Sequence, residues 1–410
     1  MKVLLLGAGA SKSYAQSPTG VSMPVAKDFF KTYKQLAIAE NPWVLIGDLL
    51  QYLKRYCGVS VFDFQNYNRD IEKLHSEIEE KLLNKINQKQ PSDRFSEELH
   101  IYFKAYTELI FLFTSVLNEI QNGPVSETHL NLAKWLRNED VVLSFNWDTL
   151  MERALAETTA WNCFEGYYVQ PVSVYQNKWI ETQSIISENQ EFPTIVKLHG
   201  STNWLTAAPF IGHGGMETTQ AEALDRFCVY ESTVDPYPTY DGRFMPGYEK
   251  FSYGYYPVNL PLEGKSAPDG KLMVRLIQSE PFRPAGTGPK DGLVSIPLII
   301  PPVKNKSYDY FGDLFRNLWQ KAEESLVTAE DIVLIGYSFP ETDYQSDRLF
   351  KNAFSKRNTM PRIFIVNPEA QKIKDRFMYT FGIDEHHLFT YNEYFSSTFD
   401  LNRFDQEKQN

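Results

Sequence analysis

The sequence predicts an α/β fold, an open, doubly wound parallel sheet enlarged by a large helical insertion and a second, irregular insertion. Three observations lead there. Short apolar, β-branched runs at 2–6, 141–143, 194–198, 331–336 and 362–366 read as buried strands. These runs lead into glycine or small polar residues, and helical periodicity resumes after several of them, the alternation expected of parallel units. The helical pattern at 23–121 is far longer than one crossover needs, so most of it is inserted into the sheet rather than part of it.

Composition narrows the class. At 410 residues the chain is one enlarged domain or two, and 42% apolar with 23% charged residues marks a globular rather than a disordered protein. A net charge of −11 argues against direct, non-specific nucleic-acid binding by the isolated chain, which needs a basic footprint. Cys57, Cys163 and Cys228 are far apart and form no CxxC, so neither a disulfide framework nor a four-cysteine zinc site is expected. The N-terminal apolar stretch is short and broken by two glycines, unlike a signal peptide. No run reaches the ~18 apolar residues of a membrane span. A cytoplasmic protein without a membrane segment is expected.

Lys2–Leu6 is the first strand, and Gly7-Ala8-Gly9-Ala10-Ser11 follows it. Two glycines after a strand permit a tight turn and close approach of backbone N–H groups to a pyrophosphate. The third glycine of the dinucleotide fingerprint is missing. Asp28 lies at roughly the ~20-residue offset of the ribose-binding acid, but within MPVAKDFFKTYKQLA, which reads as a helix. A dehydrogenase-type site is therefore not expected. Ser17-Pro18-Thr19-Gly20 is a turn able to fold back over whatever the glycine loop holds. Through 23–121 the pattern is helical, and His75 and His100 show no ligand spacing. Asn122-Gly123-Pro124 closes the insertion.

The stretch VVLSFNWDTL, Val141 to Leu150, is the one around which the rest is organised. Its strand ends at Ser144-Phe145, Asn146 and Asp148 stand at the carboxyl edge, and Asp148 is placed to start the next helix. GYYVQPVSVYQNKWIETQ reads as a short β excursion. The strand Thr194–Leu198 then runs directly into His199-Gly200-Ser201. Residues 206–292 turn rich in Tyr, Gly and Pro, an irregular insertion suited to a lid or an oligomer contact. Strands resume at PLIIP and at DIVLIG, whose end carries Gly336-Tyr337-Ser338. RIFIV is read as the last core strand, ending at Asn367. One catalytic domain thus spans 1–400, with 401–410 as a tail.

Strand ends of a parallel sheet gather along one edge, where open α/β sheets bind ligands. One glycine loop, an Asn, a His and two small polar turns at that edge suit a dinucleotide. No metal pattern and no carboxylate pair accompany them, which favours a leaving group that departs by itself, such as nicotinamide.

These residues resemble the sirtuin family: the GAG-S loop at Gly7–Ser11, the N-x-D element Asn146-Trp147-Asp148, the HG pair His199-Gly200, the G-x-S turn Gly336-Tyr337-Ser338, and Asn367 after a core strand. The zinc-binding cysteines of the protein-deacylating members are missing. SFNWD and GYSFPETD are similar to the bacterial sirtuin-like proteins of phage defence, which hydrolyse NAD+. The resemblance implies a Rossmann-like fold, NAD+ as substrate and no zinc. It implies Asn146, His199 and Asp148 as catalytic residues. It implies Gly7, Ala8, Gly9, Ser11, Ser144, Phe145, Gly336, Ser338 and Asn367 as cofactor-binding ones, and the Ser17–Gly20 turn adds Thr19 to them. A HerA-type ATPase partner is implied by analogy, and a homo-oligomer is expected from the helical segment at 23–121 and the aromatic, proline-rich segment at 206–292, both more than the catalytic sheet needs. Two alternatives are an NAD-dependent protein deacylase and a non-enzymatic NAD- or ADP-ribose-binding subunit of an ATPase complex. The first is disfavoured by the missing cysteines, the second by the joint presence of Asn146 and His199.

Overall fold

The computed structural model describes residues 1–36, 39, 42–87, 97–175, 179–182, 191–207, 210–212, 215–217, 227–230, 295–300, 313–340 and 343–406. Its centre is a six-stranded, all-parallel, Rossmann-like sheet. The strands are β1 (Lys2–Leu6), β2 (Val141–Ser144), β3 (Thr194–Lys197), β4 (Asp331–Ile335), β5 (Arg362–Val366) and β6 (Leu388–Tyr391), in the order β6-β5-β4-β1-β2-β3. Leu4 lies opposite Val142 on one side and Val333 on the other. Every residue of β1, β2 and β4 is buried, which is why these strands read as unbroken apolar runs rather than alternating ones. From β1 the chain builds outwards through β2 and β3 on one side and through β4, β5 and β6 on the other. The strand order therefore reverses between β1 and β4, and a crevice is expected outside their carboxyl ends.

The sequence reading stopped the sheet at β5, and the structure adds β6. This edge strand is only four residues, LFTY, with its two middle residues half-buried, so it carries no apolar run to be recognised. A second sheet of five short strands is ordered Ser295–Ile299, Gly200–Ala207, Cys228–Tyr230, Ser173–Tyr175, Trp179–Glu181. The last two are the β excursion expected from sequence. Of the expected irregular insertion at 206–292, only 206–207, 210–212, 215–217 and 227–230 are described, all but Phe227 in short strands; the rest lies outside the described residues, as do 407–410 of the tail.

Between β1 and β2 the chain forms the helices Phe29–Tyr33, Pro42–Cys57, Val61–Phe64, Ile71–Asn87 and Glu97–Gln121. They enclose a second core that includes Phe30, Leu53, Leu74, Phe103 and Val116. The helix expected around Asp28 is just Phe29–Tyr33. The Asp28 carboxylate is occupied by the Val25 N–H at 2.7 Å and the Lys12 ammonium at 2.8 Å, and it follows no strand of the sheet. All three cysteines are free. Among the described residues no helix is long and apolar enough to cross a membrane.

One buried acid in this helical core makes its stability depend on pH. Glu108 Oε2 accepts from Leu49 N–H at 2.7 Å, and Oε1 has no partner among the described residues. Burial, reinforced by the charge of Asp48, pushes its carboxyl up to about 8. The folded value lies above the unfolded value of about 4.3. The contribution is therefore complete below the unfolded value and is lost as pH rises through about 8. Glu108→Gln should flatten the fall in denaturation midpoint between about pH 4.3 and about pH 8. Parallel pH curves for the two proteins would show that Glu108 ionises without cost.

Candidate functional site

The loops that follow β1 and β4 are laced together. Gly7 N–H donates to Ile335 O at 3.0 Å and Gly9 N–H to Gly336 O at 2.9 Å. There is no room for side chains between them. A Cβ on Gly9 would stand 2.8 Å from Gly336 Cα, and one on Gly336 would stand 2.2 Å from Ala10 N. Gly336 also has φ +65°, a left-handed conformation that favours glycine. The sequence reading assigned the glycines of the first loop to close approach of a phosphate; contact between the two loops is a separate demand on the same positions. Gly336→Ala is expected to lower stability by roughly 2 kcal/mol or more, read from denaturant unfolding. A change within ~0.5 kcal/mol, ordinary for a surface site, would mean that the loops can part freely.

At the end of β2 the chain curls on itself: Ser144 Oγ accepts from Asn146 N–H and donates to Asn146 O, both at 3.2 Å. This aims the Asn146 side chain across the sheet edge at the first loop. Its Nδ2 donates to Gly7 O at 2.8 Å and to Ser11 Oγ at 2.7 Å. Ser11 Oγ in turn donates to Asp148 Oδ2 at 2.6 Å, while Asp148 Oδ1 accepts at 3.1 Å from the N–H of Leu150, the first residue of the helix Leu150–Thr158, whose cap position is Thr149. The two amide hydrogens of Asn146 are thus both engaged, which leaves Oδ1 as the atom able to receive an incoming donor.

β3 delivers His199 beside this cluster. Leu198 N–H donates to Ser144 O at 2.9 Å, and Gly200, at φ +75°, turns the chain into the strand Gly200–Ala207. Trp147 O accepts from both Thr202 N–H at 2.8 Å and Ser201 Oγ at 3.2 Å, joining the Asn146 and His199 loops. Gln121, at the end of the long helix Glu97–Gln121, holds both: its Oε1 accepts from Thr149 N–H at 2.8 Å and its Nε2 donates to Thr202 Oγ1 at 3.2 Å. Beneath them Lys197 is fully buried. Its ammonium donates to Asp148 O at 2.6 Å and stands 3.1 Å from Glu152 Oε1. Burial pushes the Glu152 carboxyl up, against the opposing pull of Lys197.

His199 Nε2 lies 3.5 Å from Asp343 Oδ2, and that same oxygen accepts the Tyr337 hydroxyl at 2.6 Å. Phe145 stacks on Tyr337 at 4.2 Å and meets His199 edge-on at 5.3 Å. Burial, and then the Asp343 charge, push the Tyr337 hydroxyl well above its ordinary range. Asn367 Nδ2 reaches Tyr337 O at 3.4 Å.

A cavity of about 440 Å³, within the range of small-molecule sites, runs along this edge. Ala8, Gly9, Ser11, Phe145, Asn146, Asp148, His199, Gly336, Ser338 and Asn367, expected from sequence to share one site, all line it. Gly7 and Ser144 lie behind the wall and act through their bonds to Asn146. Thr19 is tied into its own turn, its Oγ1 2.8 Å from Ser17 Oγ and accepting from Val21 N–H at 3.1 Å; the wall is lined instead by Met23, Pro24 and Val25 just beyond. The helical insertion forms the opposite wall through Ile71, Phe113 and Leu117, with Phe113 4.7 Å from the Trp147 ring.

Sequence reasoning missed Tyr337, Asp343, Gln121 and Lys197. Asp343 stands directly before a helix and passes for a cap, although its side chain makes no cap bond. Lys197 did leave a signal: a lysine inside a buried strand is almost always paired. Among the described residues no group of three or more His, Cys, Asp or Glu is placed to hold a metal ion. Fold and site together define a Rossmann-like α/β protein with a ligand-sized cavity at its switch point, mostly apolar in its lining with a few convergent polar groups. Compared with known proteins, the chain matches no family model and no curated sequence.

Proposed function

We propose that the protein is an NAD+ glycohydrolase, cleaving NAD+ to nicotinamide and ADP-ribose. The observation that carries this reading is the joining of Ser11, Asn146 and Asp148 by hydrogen bonds at the carboxyl ends of β1 and β2, with His199 on the wall of the same cavity. In the proposed reaction the bond from ribose C1′ to nicotinamide breaks, and its electron pair leaves with the nicotinamide. Water adds at C1′, and the proton it loses passes to His199 and then to solvent. Asn146 Oδ1 orients the water or a ribose hydroxyl. Asp148 keeps Ser11 and the helix start in place, and the Gly7–Ser11 loop faces the diphosphate. No step calls for zinc. Depletion of NAD+ in phage defence and partnership with a HerA-type ATPase belong to the same proposal and rest on the motif resemblance; assembly into a homo-oligomer belongs to it too and rests on the two large insertions. The protein-deacylase alternative shares the cofactor and is separated by an acyl-lysine peptide assay.

His199→Ala separates chemistry from binding. Nicotinamide release should fall by about 10²-fold or more, while NAD+ affinity, measured by calorimetry, stays within a few-fold. Loss of affinity in step with loss of turnover would make His199 a binding residue and favour the non-enzymatic module.

A further inference from the structure

The proposed hydrolysis gives no role to the buried carboxylate beside its base. Asp343 precedes the helix Tyr344–Ser355, and its side chain is fully buried. A buried carboxylate is costly unless it is held by donors or paired with a cation. Its Oδ2 takes the Tyr337 hydroxyl at 2.6 Å and faces His199 Nε2 at 3.5 Å. Tyr337 is itself fixed by stacking on Phe145, the residue just before Asn146. The chain thus brings together a base from the end of β3, a phenol from the end of β4 and an acid from the next loop, all on the wall of one cavity.

We propose that Asp343 is the positioning residue of His199, with Tyr337 holding the carboxylate in place. The inference rests on the NAD+ hydrolase reading. When His199 takes the proton from the attacking water, the ring becomes a cation inside a buried site, and the adjacent carboxylate balances the new charge. No atom of Asp343 is consumed, and the proton returns to solvent from His199. The carboxylate also restricts rotation of the imidazole, so that the ring meets the cavity in one orientation. Removal of the charge should slow the chemical step and leave the grip on NAD+, which lies at the Gly7–Ser11 loop, unchanged.

The test compares Asp343→Asn with wild type, with His199→Ala and with the double variant. Asn keeps the size and still accepts the Tyr337 hydroxyl, so the fold should persist, as checked by melting temperature. Asp343→Asn should lower kcat by roughly 10²-fold with KM for NAD+ changed less than about threefold. The double variant should be no slower than His199→Ala alone, because residues acting as one unit are not additive. Tyr337→Phe should give a smaller loss of kcat. A readout independent of turnover comes from ¹⁵N NMR of histidine-labelled protein. The ring nitrogens of His199 should shift in Asp343→Asn, while those of buried His75 and His129 stay in place. Unchanged His199 signals, or unchanged kcat in a folded Asp343→Asn, would overturn the pairing. Shifted signals in a protein that releases no nicotinamide would leave the pair standing and refute the hydrolase reading instead.

Discussion

Asn146→Ala is expected to lower nicotinamide release by roughly 10²–10³-fold, the usual consequence of losing one positioned polar group at a reacting centre. The structure also says what else the substitution does. Gly7 O and Ser11 Oγ lose the Nδ2 donor, but Ser11 keeps its bond to Asp148. Gly7 O also keeps the Ala10 N–H at 2.9 Å, so what is lost is the net worth of the Nδ2 bonds, about 0.5–1.5 kcal/mol each, a drop in melting temperature but not unfolding. Activity and melting should therefore part company: a nearly complete loss of turnover in a protein that still melts cooperatively. Full turnover in a folded Asn146→Ala protein, under conditions where wild type is active, would remove Asn146 from the chemistry.

The largest effect on stability is expected at Lys197→Met. Met matches the length of the lysine stem, so packing is nearly conserved. The ammonium's two partners, Asp148 O and the Glu152 carboxylate, are left without it in a fully buried place. Breaking one half of a buried ion pair typically costs ~3–5 kcal/mol. Asp148 is then free to shift, which loosens the N-x-D loop and should weaken activity as well. Adding Glu152→Gln should recover part of the lost stability, since the uncompensated charge goes with it. Denaturant unfolding of the single and double variants measures both. A single variant within ~1 kcal/mol of wild type would mean that Glu152 is neutral in the folded protein and that Lys197 does little there.

The parts of this molecule written in short range were legible in its sequence. Five of the six core strands announce themselves as apolar runs because both faces of the sheet are covered, and the polar residues at their ends converge because parallel strands share one edge. That logic alone brings Gly9, Asn146, His199 and Asn367 to one cavity. What escaped is long-range or unpatterned. β6 is an edge strand too short to show a period. Asp343 meets His199 across 144 positions of chain, and Gln121 reaches Thr202 across 81, so no local spacing reports either contact. The segment 23–121 reads as helical, but its place as a wall of the site depends on Phe113 meeting the Trp147 ring and on Leu117 lining the cavity, which periodicity does not encode. Thr19 was placed by turn chemistry; it does form a turn, one closed on Ser17 rather than over the cavity.

In the proposed function, the cavity between the Gly7–Ser11 loop and His199 takes NAD+ and breaks its bond to nicotinamide. The most direct measurement incubates the purified wild-type chain with NAD+, quantifies nicotinamide and ADP-ribose by chromatography, and titrates NAD+ by calorimetry on the same sample. NAD+ is expected to bind and the two products to form in equal amounts, with both products lost in Asn146→Ala and binding retained. Absence of NAD+ binding by the folded wild-type protein at millimolar concentration would contradict it.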